Sequence, residues 1–173
     1  MNVSSAPLFV VVMGVAGCGK SSLGAAVAQA EGLPLIEGDD HHSPASRDKM
    51  RRGVPLTDAD REGWLTTLGE QLQAHPRGAV LTCSALKHAY RQRLRTACPA
   101  LRFLFLDIDR PHAAERVAAR AHAHFFSSSL VDSQFATLQS PVGEPGVLRL
   151  DALLDIPTLQ ARASAWLHLP EAV

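Results

Sequence analysis

The feature that most constrains this chain is a glycine-rich segment that directly follows a continuous apolar run. The run is Leu8–Met13, and the segment is Gly14-Val-Ala-Gly-Cys-Gly-Lys20-Ser21. A short β-branched apolar run is typical of a parallel strand covered on both faces. The segment matches G-x-x-x-x-G-K-S/T, and a helical pattern starts at Lys20, so the motif stands in the strand, loop and helix context that it requires. The sequence therefore predicts a phosphate-binding loop; an accidental glycine-rich turn is the alternative.

The chemistry of this loop predicts a nucleotide site. Glycines let backbone N–H groups close around phosphate oxygens, and the following helix adds its positive end. We expect Lys20 to reach the β- and γ-phosphates, the Ser21 hydroxyl to ligate Mg²⁺, and Ser22 to touch the α-phosphate. The predicted nucleotide-binding residues of the loop are Gly14, Val15, Ala16, Gly17, Cys18, Gly19, Lys20, Ser21 and Ser22.

Strand and helix patterns alternate along the rest of the chain, which predicts an α/β fold with three layers, a parallel sheet flanked by helices. Further strands are predicted at Leu33–Ile36, Ala79–Cys83, Leu101–Ile108 and Val147–Leu150. Helices are predicted at Lys20–Ala30, Asp58–Ala74, Leu86–Ala97, Pro111–Ala121, Ser129–Gln139 and Thr158–Leu167. With 173 residues, the chain is expected to form one domain, residues 1–173.

Two segments stand out from this alternation as parts of a binding site. The stretch between the second and third strands is too long for a plain crossover and has its own helical patterns, so residues 40–77 are predicted to form a helical substrate flap. Residues 120–129 are predicted to form a lid. Arg116 and Arg120 lie four apart on one helix face that leads into it, so both are predicted to bind the nucleotide when the lid closes.

Charge and cysteine content narrow the partners and the location. The 17 Lys and Arg side chains balance 17 Asp and Glu, so no overall field favours nucleic acid or an anionic membrane. The three cysteines lack the paired spacing of a zinc site or a disulfide framework and are predicted to be free thiols in a reducing compartment. The first apolar run is too short to span a bilayer, and no basic segment precedes it. We expect a cytoplasmic protein with a small-molecule substrate.

A phosphate-binding loop leaves the reaction open, because ATPases, GTPases and small-molecule kinases share it. The chain has no Asn-Lys-x-Asp motif for guanine and little room for the appendages of motor or transporter ATPases, which favours a compact kinase. Asp107 ends a predicted strand, where some P-loop proteins hold Mg²⁺. We interpret Asp107 instead as a strand-end or capping residue, and assign the functional carboxylates to Glu37 and Asp39 after the second strand.

Further motifs point to one enzyme family. They are Met13-Gly-Val-x-Gly-x-Gly-Lys-Ser21, Gly38-Asp39-x-x-His42, Asp58-x-Asp60-Arg61-x-x-Trp64-Leu65, Cys83-Ser84-Ala85-Leu86-Lys87 and Gln134-Phe135-x-x-Leu138-Gln139-x-Pro141. In this order they resemble the gluconokinases, P-loop enzymes related to shikimate and adenylate kinases, from about Phe9 to Leu167. The resemblance implies transfer of the ATP γ-phosphoryl group to the 6-hydroxyl of D-gluconate, with Mg²⁺ and usually as a homodimer.

The resemblance and the residue chemistry together predict an acceptor site. Asp39 is predicted to hydrogen-bond the 6-hydroxyl of gluconate and to accept its proton, and Glu37 to hold Mg²⁺ through a water molecule. The resemblance adds the gluconate-binding residues His42, Lys49, Arg61, Lys87 and Arg91. Arg61 and Lys87 are the best candidates for the carboxylate of gluconate, whereas Lys49 and Arg91 fit solvated helix charges equally well. The predicted catalytic residues are Lys20, Asp39 and Arg120.

Two other functions stay open at this point. One is a kinase of the same fold with another small acceptor, such as shikimate or a nucleoside monophosphate, which the Gly38–His42 and Cys83–Lys87 motifs disfavour. The other is a nucleotide-binding regulator without transfer chemistry. Its only support is the segment Arg120–His124, which is one residue longer than is usual in gluconokinases.

Overall fold

The structure is a computed structural model that describes residues 5–120 and 128–170. Its strands are β1 (Leu8–Met13), β2 (Leu35–Glu37), β3 (Gly78–Thr82), β4 (Arg102–Asp107) and β5 (Val147–Asp151). Its helices are α1 (Lys20–Glu31), α2 (Pro44–Arg51), α3 (Asp58–Gln73), α4 (His88–Ala97), α5 (Arg110–Ala119), α6 (Ser128–Thr137) and α7 (Ile156–Leu167). A 3-10 turn, Gly38–His41, follows β2 directly.

The strands form one parallel sheet in the order β2-β3-β1-β4-β5. β1 lies at its centre, where Val11 pairs with Leu81 of β3 on one side and with Phe103 of β4 on the other. The chain leaves β1 through α1 and returns at β2, beyond β3. This change in direction opens a crevice at the carboxyl ends of β1 and β3, where sheets of this kind bind ligands. The predicted α/β fold with a parallel sheet is confirmed.

Helices cover both faces of the sheet, which explains why β1 is apolar throughout. Successive side chains of a strand point to opposite faces. Val10 and Val12 face the layer formed by α1, α5, α6 and α7, whereas Val11 and Met13 face the layer formed by α3 and α4. All four side chains are fully buried.

The predicted flap, residues 40–77, contains α2 and α3. The Thr57 hydroxyl accepts a hydrogen bond from the Asp60 N–H at 3.1 Å, and the Asp60 carboxylate accepts one from the Thr57 N–H at 2.9 Å. This reciprocal pair fixes the start of α3. α3 also belongs to the core, because Trp64, Leu65 and Leu68 are buried against the sheet. Side chains of the flap are therefore attached to the rigid part of the fold.

β2 begins at Leu35, two residues later than the apolar pattern predicts. α1 ends at Glu31, and the next residue, Gly32, caps the helix in the left-handed conformation with a φ of 66°. The N–H of Leu33 still donates to the Ala28 carbonyl, and Pro34 has no N–H for a strand ladder. The termination of α1 therefore uses residues that the pattern assigns to the strand.

The predicted lid, residues 120–129, is described at its ends alone. Arg120 follows α5 and α6 begins at residue 128, whereas residues 121–127 lie outside the described residues. Within residues 5–120 and 128–170, no helix has the length and apolar character needed to cross a membrane.

Candidate active site

A cavity of about 200 Å³ lies at the crevice, between the phosphate loop, the segment after β2, α3 and α6. One wall is apolar and consists of Met50, Val54, Pro55 and Leu56 from the predicted flap. The cavity brings together many of the predicted site residues: Ala16, Gly17, Gly19, Lys20, Ser21, Ser22, Asp39, His42, Arg61 and Arg120. The nucleotide and acceptor residues predicted from separate motifs therefore share one space.

The phosphate loop needs glycine at two positions where it packs against the fold. Gly14 has a φ of 145°, and a Cβ there would lie 2.8 Å from the Leu106 carbonyl of β4. Gly17 has a φ of 83°, and a Cβ there would lie 2.8 Å from the Ala113 carbonyl of α5. Both approaches are too close for a side chain. The loop is thus packed tightly on its outer side, which fixes the shape of the side that faces the cavity.

The Lys20 ammonium folds back over this loop. It donates hydrogen bonds to the carbonyl oxygens of Gly14 at 3.0 Å and Val15 at 3.1 Å. An ammonium group has three N–H donors, so it can exchange a carbonyl oxygen for a phosphate oxygen with little movement of the side chain. The positive charge is therefore already in the loop that would receive the phosphates.

Arg116 does not line the cavity, although the sequence predicts that it contacts the nucleotide. Its guanidinium donates to the carbonyls of Gly17 at 3.2 Å, Cys18 at 3.4 Å and Ala152 at 3.0 Å. Val15 and Cys18 are likewise buried in the fold rather than exposed on the cavity surface. Arg116 thus connects the outer side of the loop to the turn after β5.

Three oxygen-bearing side chains meet beside the loop. The Ser21 hydroxyl donates to Glu37 Oε2 at 3.1 Å, and the Thr82 hydroxyl donates to the same oxygen at 2.5 Å. Hydroxyl and carboxylate oxygens are ligands that Mg²⁺ prefers, so Ser21 and Glu37 fit the predicted metal site. Thr82, whose hydroxyl orients Glu37, is not among the site residues predicted from the sequence. The sequence signal that could have indicated Thr82 is its place as a single polar residue at the carboxyl end of an apolar strand.

Asp39 extends into the cavity from the turn after β2. Its side chain is 62% exposed, and its Oδ1 lies 3.4 Å from His42 Nε2. The surrounding cavity wall raises the pKa of Asp39 by desolvation. The hydrogen bond with His42 and the charge of Lys20 outweigh this effect, so the pKa stays below its ordinary value. The carboxylate is therefore ionised near neutral pH, as a proton acceptor must be.

His42 connects Asp39 to the core. Its buried ring stacks on Trp64, with ring centroids 4.3 Å apart and an interplanar angle of 18°. Its Nδ1 is buried and has no hydrogen-bond partner among the described residues. A buried polar nitrogen without a partner is costly, and His42 lines the cavity. Nδ1 is therefore closed off from the cavity surface, whereas Nε2 of the same ring lies beside Asp39.

Arg61, one of the cations predicted to bind gluconate, lines the cavity. Its Nη1 donates to the Leu56 carbonyl at 2.8 Å and to the Tyr90 hydroxyl at 3.5 Å. Both contacts use the same nitrogen, and a guanidinium has five N–H donors. Arg61 thus keeps donors for the carboxylate of a bound acid.

Lys49 and Lys87, two other predicted gluconate contacts, pair with carboxylates and do not line the cavity. Lys49 Nζ lies 2.7 Å from Asp60 Oδ2, and Lys87 Nζ lies 2.8 Å from Asp58 Oδ1. The hydrogen bond from Lys49 lowers the pKa of Asp60 to about 2, and the hydrogen bond to Asp58 raises the pKa of Lys87. Both lysines therefore brace the first turn of α3, in which Arg61 follows Asp60.

Arg91 also lies outside the cavity, in contrast to the predicted gluconate contact. Its side chain is fully buried and lies 2.6 Å from the Glu144 carboxylate. It also donates to the carbonyls of Ala85 at 2.7 Å and Gln139 at 2.9 Å. These contacts join α4 to the segments before it and before β5. In this arrangement the described contacts of Arg91 are all with the protein.

The interpretation of Asp107 as a strand-end residue agrees with its position. It ends β4 and accepts a hydrogen bond from Arg149 Nε at 2.7 Å. It does not line the cavity.

Comparison with known proteins assigns the chain to a family. A family model described as an AAA domain matches residues 9–145. The chain is 44% identical over 148 residues to the gluconokinase of Gluconobacter oxydans, across 83% of this chain and 82% of that protein. It is 38% identical over 150 residues to the thermosensitive gluconokinase of Escherichia coli, across 84% of this chain and 80% of that protein. The chain belongs to the gluconokinase family.

A solved structure supports this assignment to the gluconokinases. The crystal structure of a gluconokinase from Sinorhizobium meliloti matches with a TM-score of 0.86 and 44% identity, covering 94% of this chain and 92% of that one. The family predicted from the motifs is therefore confirmed. Two cavity residues, Ser84 and Gln134, were not predicted as site residues even though both stand in gluconokinase-like motifs. Their presence in those motifs was the available signal.

Proposed function

We propose that this chain transfers the γ-phosphoryl group of ATP to the 6-hydroxyl of D-gluconate, giving 6-phospho-D-gluconate and ADP. The observation that carries this proposal is that Lys20, Asp39 and Arg61 line one cavity. They supply a cation for the phosphates, an acceptor for the proton of an alcohol, and a partner for the carboxylate of a sugar acid. The names of the relatives support gluconate as that acid.

The transfer step needs the attacking oxygen in line with the γ-phosphate and positive charge around the phosphoryl oxygens. Asp39 accepts a hydrogen bond from the 6-hydroxyl and takes its proton as the new O–P bond forms and the bond to ADP breaks. His42, stacked on Trp64, orients the carboxylate. Lys20 and Arg120 offset the charge on the phosphoryl oxygens.

Mg²⁺ binding is proposed at Ser21 and Glu37, the latter through a water molecule. When bound there, the ion would offset the negative charge of the phosphates during transfer. Thr82 supports this site, because its hydrogen bond at 2.5 Å holds Glu37 Oε2 beside the Ser21 hydroxyl.

Gluconate is proposed to place its carboxylate at Arg61 and its hydroxyls beside His42, since both residues line the cavity. The distance between Arg61 and Asp39 then selects the length of the acid, because the alcohol at the far end has to reach Asp39. Lys49 and Lys87 contribute by holding the first turn of α3 through their carboxylate partners.

The oligomeric state, the location and the partners of the protein are also proposed from the family resemblance. We infer a homodimer in the cytoplasm, with neither nucleic acid nor a membrane surface as a partner. The balance of 17 basic and 17 acidic side chains supports the absence of a charged macromolecular partner. Sedimentation equilibrium of the purified protein tests the dimer.

The test of the reaction is ADP release by the purified protein with Mg²⁺-ATP and a panel of acceptors. The panel contains D-gluconate, a shorter and a longer aldonic acid, uncharged glucose, shikimate and AMP. We expect D-gluconate to give the highest kcat/KM and glucose, which lacks the carboxylate, to be a poor acceptor. Phosphorus NMR of the product identifies the phosphorylated oxygen.

The same assay separates the two other functions. Turnover with shikimate or AMP but not with gluconate would show a kinase for another acceptor. ATP binding with no turnover on any acceptor would show a nucleotide-binding regulator. Either result contradicts the proposed function.

A further inference from the structure

The phosphate loop has a contact with α6 that the reaction described above does not use. The N–H of Ala16 donates a hydrogen bond of 2.6 Å to Gln134 Oε1, across 118 residues of sequence. A backbone N–H can pair with the oxygen of a carboxamide but not with its nitrogen, so the donor fixes the orientation of the Gln134 side chain. Both residues line the cavity. The Gln134 oxygen thus accepts the hydrogen bond of a loop N–H that the motif predicts to bind a phosphate oxygen.

The position of Ala16 in the loop indicates which phosphate this amide serves. Ser21 and Ser22 lie in the first turn of α1, at the end of the loop assigned to the α-phosphate and the metal ion. Lys20 reaches the β- and γ-phosphates. Ala16 lies four residues before Lys20, between Gly14 and Gly17, and shares the cavity with Asp39. The order along the loop therefore puts the Ala16 N–H at the end that receives the terminal phosphate.

We propose that Gln134 is a positioning residue that takes the place of a γ-phosphate oxygen on the Ala16 amide and is displaced by ATP but not by ADP. In the empty loop, two of the phosphate donors are then satisfied by protein, Ala16 by Gln134 and Lys20 by the carbonyls of Gly14 and Val15. The inference rests on nucleotide binding by the loop and not on the identity of the acceptor.

The consequence of this exchange falls on α6. This helix begins at residue 128, within the last two residues of the predicted lid segment 120–129, and its Val131 packs in the same apolar layer as Val117 of α5. Gln134 lies one turn further along the helix. Release of its carboxamide from Ala16 frees this part of α6 from the loop. Binding of the γ-phosphate therefore changes how α6 is held against the loop.

Two substitutions of Gln134 test the proposal with opposite expected signs. Gln134→Met keeps the length of the side chain but removes the acceptor, so it should tighten binding of the non-hydrolysable analogue β,γ-imido-ATP by about threefold to tenfold, the value of one neutral hydrogen bond. Gln134→Glu keeps the shape but adds a negative charge beside the terminal phosphate, so it should weaken binding of the analogue about tenfold or more. ADP affinity should change by less than about twofold in both variants. Isothermal titration calorimetry with Mg²⁺ measures all of these constants.

Gln139→Met is the matched control. Gln139 also accepts a hydrogen bond from a backbone amide, His88 N–H at 2.8 Å, but it is exposed and does not line the cavity. This variant should leave the ratio of the two affinities unchanged. A change of equal size for ADP and the analogue in the Gln134 variants would identify a structural brace on the loop and would overturn the proposal. No change in either affinity would overturn it as well.

The calorimetric result also separates this inference from the proposed function. Wild-type protein that binds ADP and the analogue but does not phosphorylate gluconate contradicts the reaction and leaves the role of Gln134 open to the same titrations. Wild-type protein that phosphorylates gluconate while the variants show an unchanged affinity ratio contradicts only the role of Gln134.

Discussion

Trp64 Nε1 donates a hydrogen bond of 2.8 Å to the carbonyl of Gly38, so a core residue of α3 holds the backbone that precedes Asp39. Gly38 is also pressed against β3, because a Cβ there would lie 2.2 Å from the Thr82 carbonyl. The turn that carries Asp39 is therefore held from two sides. Such support keeps a proton acceptor in a fixed position relative to the loop, as in-line transfer requires.

Asp39→Asn should lower kcat with gluconate by about 100-fold or more, because it removes proton acceptance while keeping the shape of the side chain. Calorimetry should show ATP binding within about threefold of wild type. The neighbouring Asp40→Asn is the control, since Asp40 is exposed in the same turn and does not line the cavity. Normal turnover by Asp39→Asn would reduce Asp39 to a positioning residue.

Arg61→Met should raise the KM for gluconate by about 10-fold to 100-fold, the loss expected for charge-assisted hydrogen bonds to a carboxylate. The KM for ATP should stay nearly constant. Arg93→Met serves as a control, because Arg93 is a cation of α4 that pairs with Glu62 outside the cavity. Steady-state kinetics with Lys87→Met then decide between the two carboxylate candidates. A larger effect from Lys87 than from Arg61 would contradict the assignment.

Arg120→Ala should lower kcat at least tenfold without unfolding the protein, because an arginine on the transferring phosphoryl group contributes far more than a surface charge. Arg120 lines the cavity at the end of α5. Arg110→Ala, at the other end of α5, is the comparison, since Arg110 is exposed and lies 3.7 Å from Asp132. Near-normal kcat for Arg120→Ala, with melting temperatures that match, would reject a role in transfer.

The sequence predicted the features that depend on local pattern. The apolar runs located the strands, and the loop motif placed Lys20 and Ser21 correctly in the strand, loop and helix context. The buried environment of Arg91 could not be predicted from local pattern. Its partner Glu144 lies 53 residues away in the chain, and an arginine of a short helix has the same pattern whether it binds a ligand or a buried carboxylate.

The cations predicted to bind gluconate show the same limit of prediction from sequence. Lys49, Arg61 and Lys87 all stand in family-like motifs, yet the structure leaves only Arg61 of these three at the cavity. The difference comes from Asp58 and Asp60 in the first turn of α3, which bind the two lysines. Spacing along the chain does not show which cation a carboxylate will neutralise.

Glu144→Gln should destabilise the protein by about 3–5 kcal/mol at pH 7, because it leaves the buried Arg91 charge without its partner. Partial burial raises the pKa of Glu144, but its hydrogen bonds from Arg91 and Arg95 outweigh this and lower it from 4.5 to about 2. A lowered pKa in the folded state means that the carboxylate stabilises the fold fully above pH 4.5 and loses this effect as the pH falls towards 2.

Urea unfolding between pH 7 and pH 3 measures this dependence. The difference in unfolding free energy between wild type and Glu144→Gln should shrink as the pH falls through this range. Glu62→Gln is the control, since Glu62 is exposed and its pair with Arg93 at 3.4 Å is worth at most about 1 kcal/mol. A difference that stays constant with pH would show that the Glu144 charge is not the source of the stability.

The hydrogen bonds of Lys20 to its own loop bear on how fast the enzyme turns over. A nucleotide that enters replaces the carbonyls of Gly14 and Val15 with phosphate oxygens, so few new bonds are gained in total. On departure of ADP the ammonium returns to the same carbonyls, and no bare charge is left behind. We therefore expect the same two carbonyls to assist the release of product by accepting the lysine again, which suits a catalyst that must empty its site after every cycle.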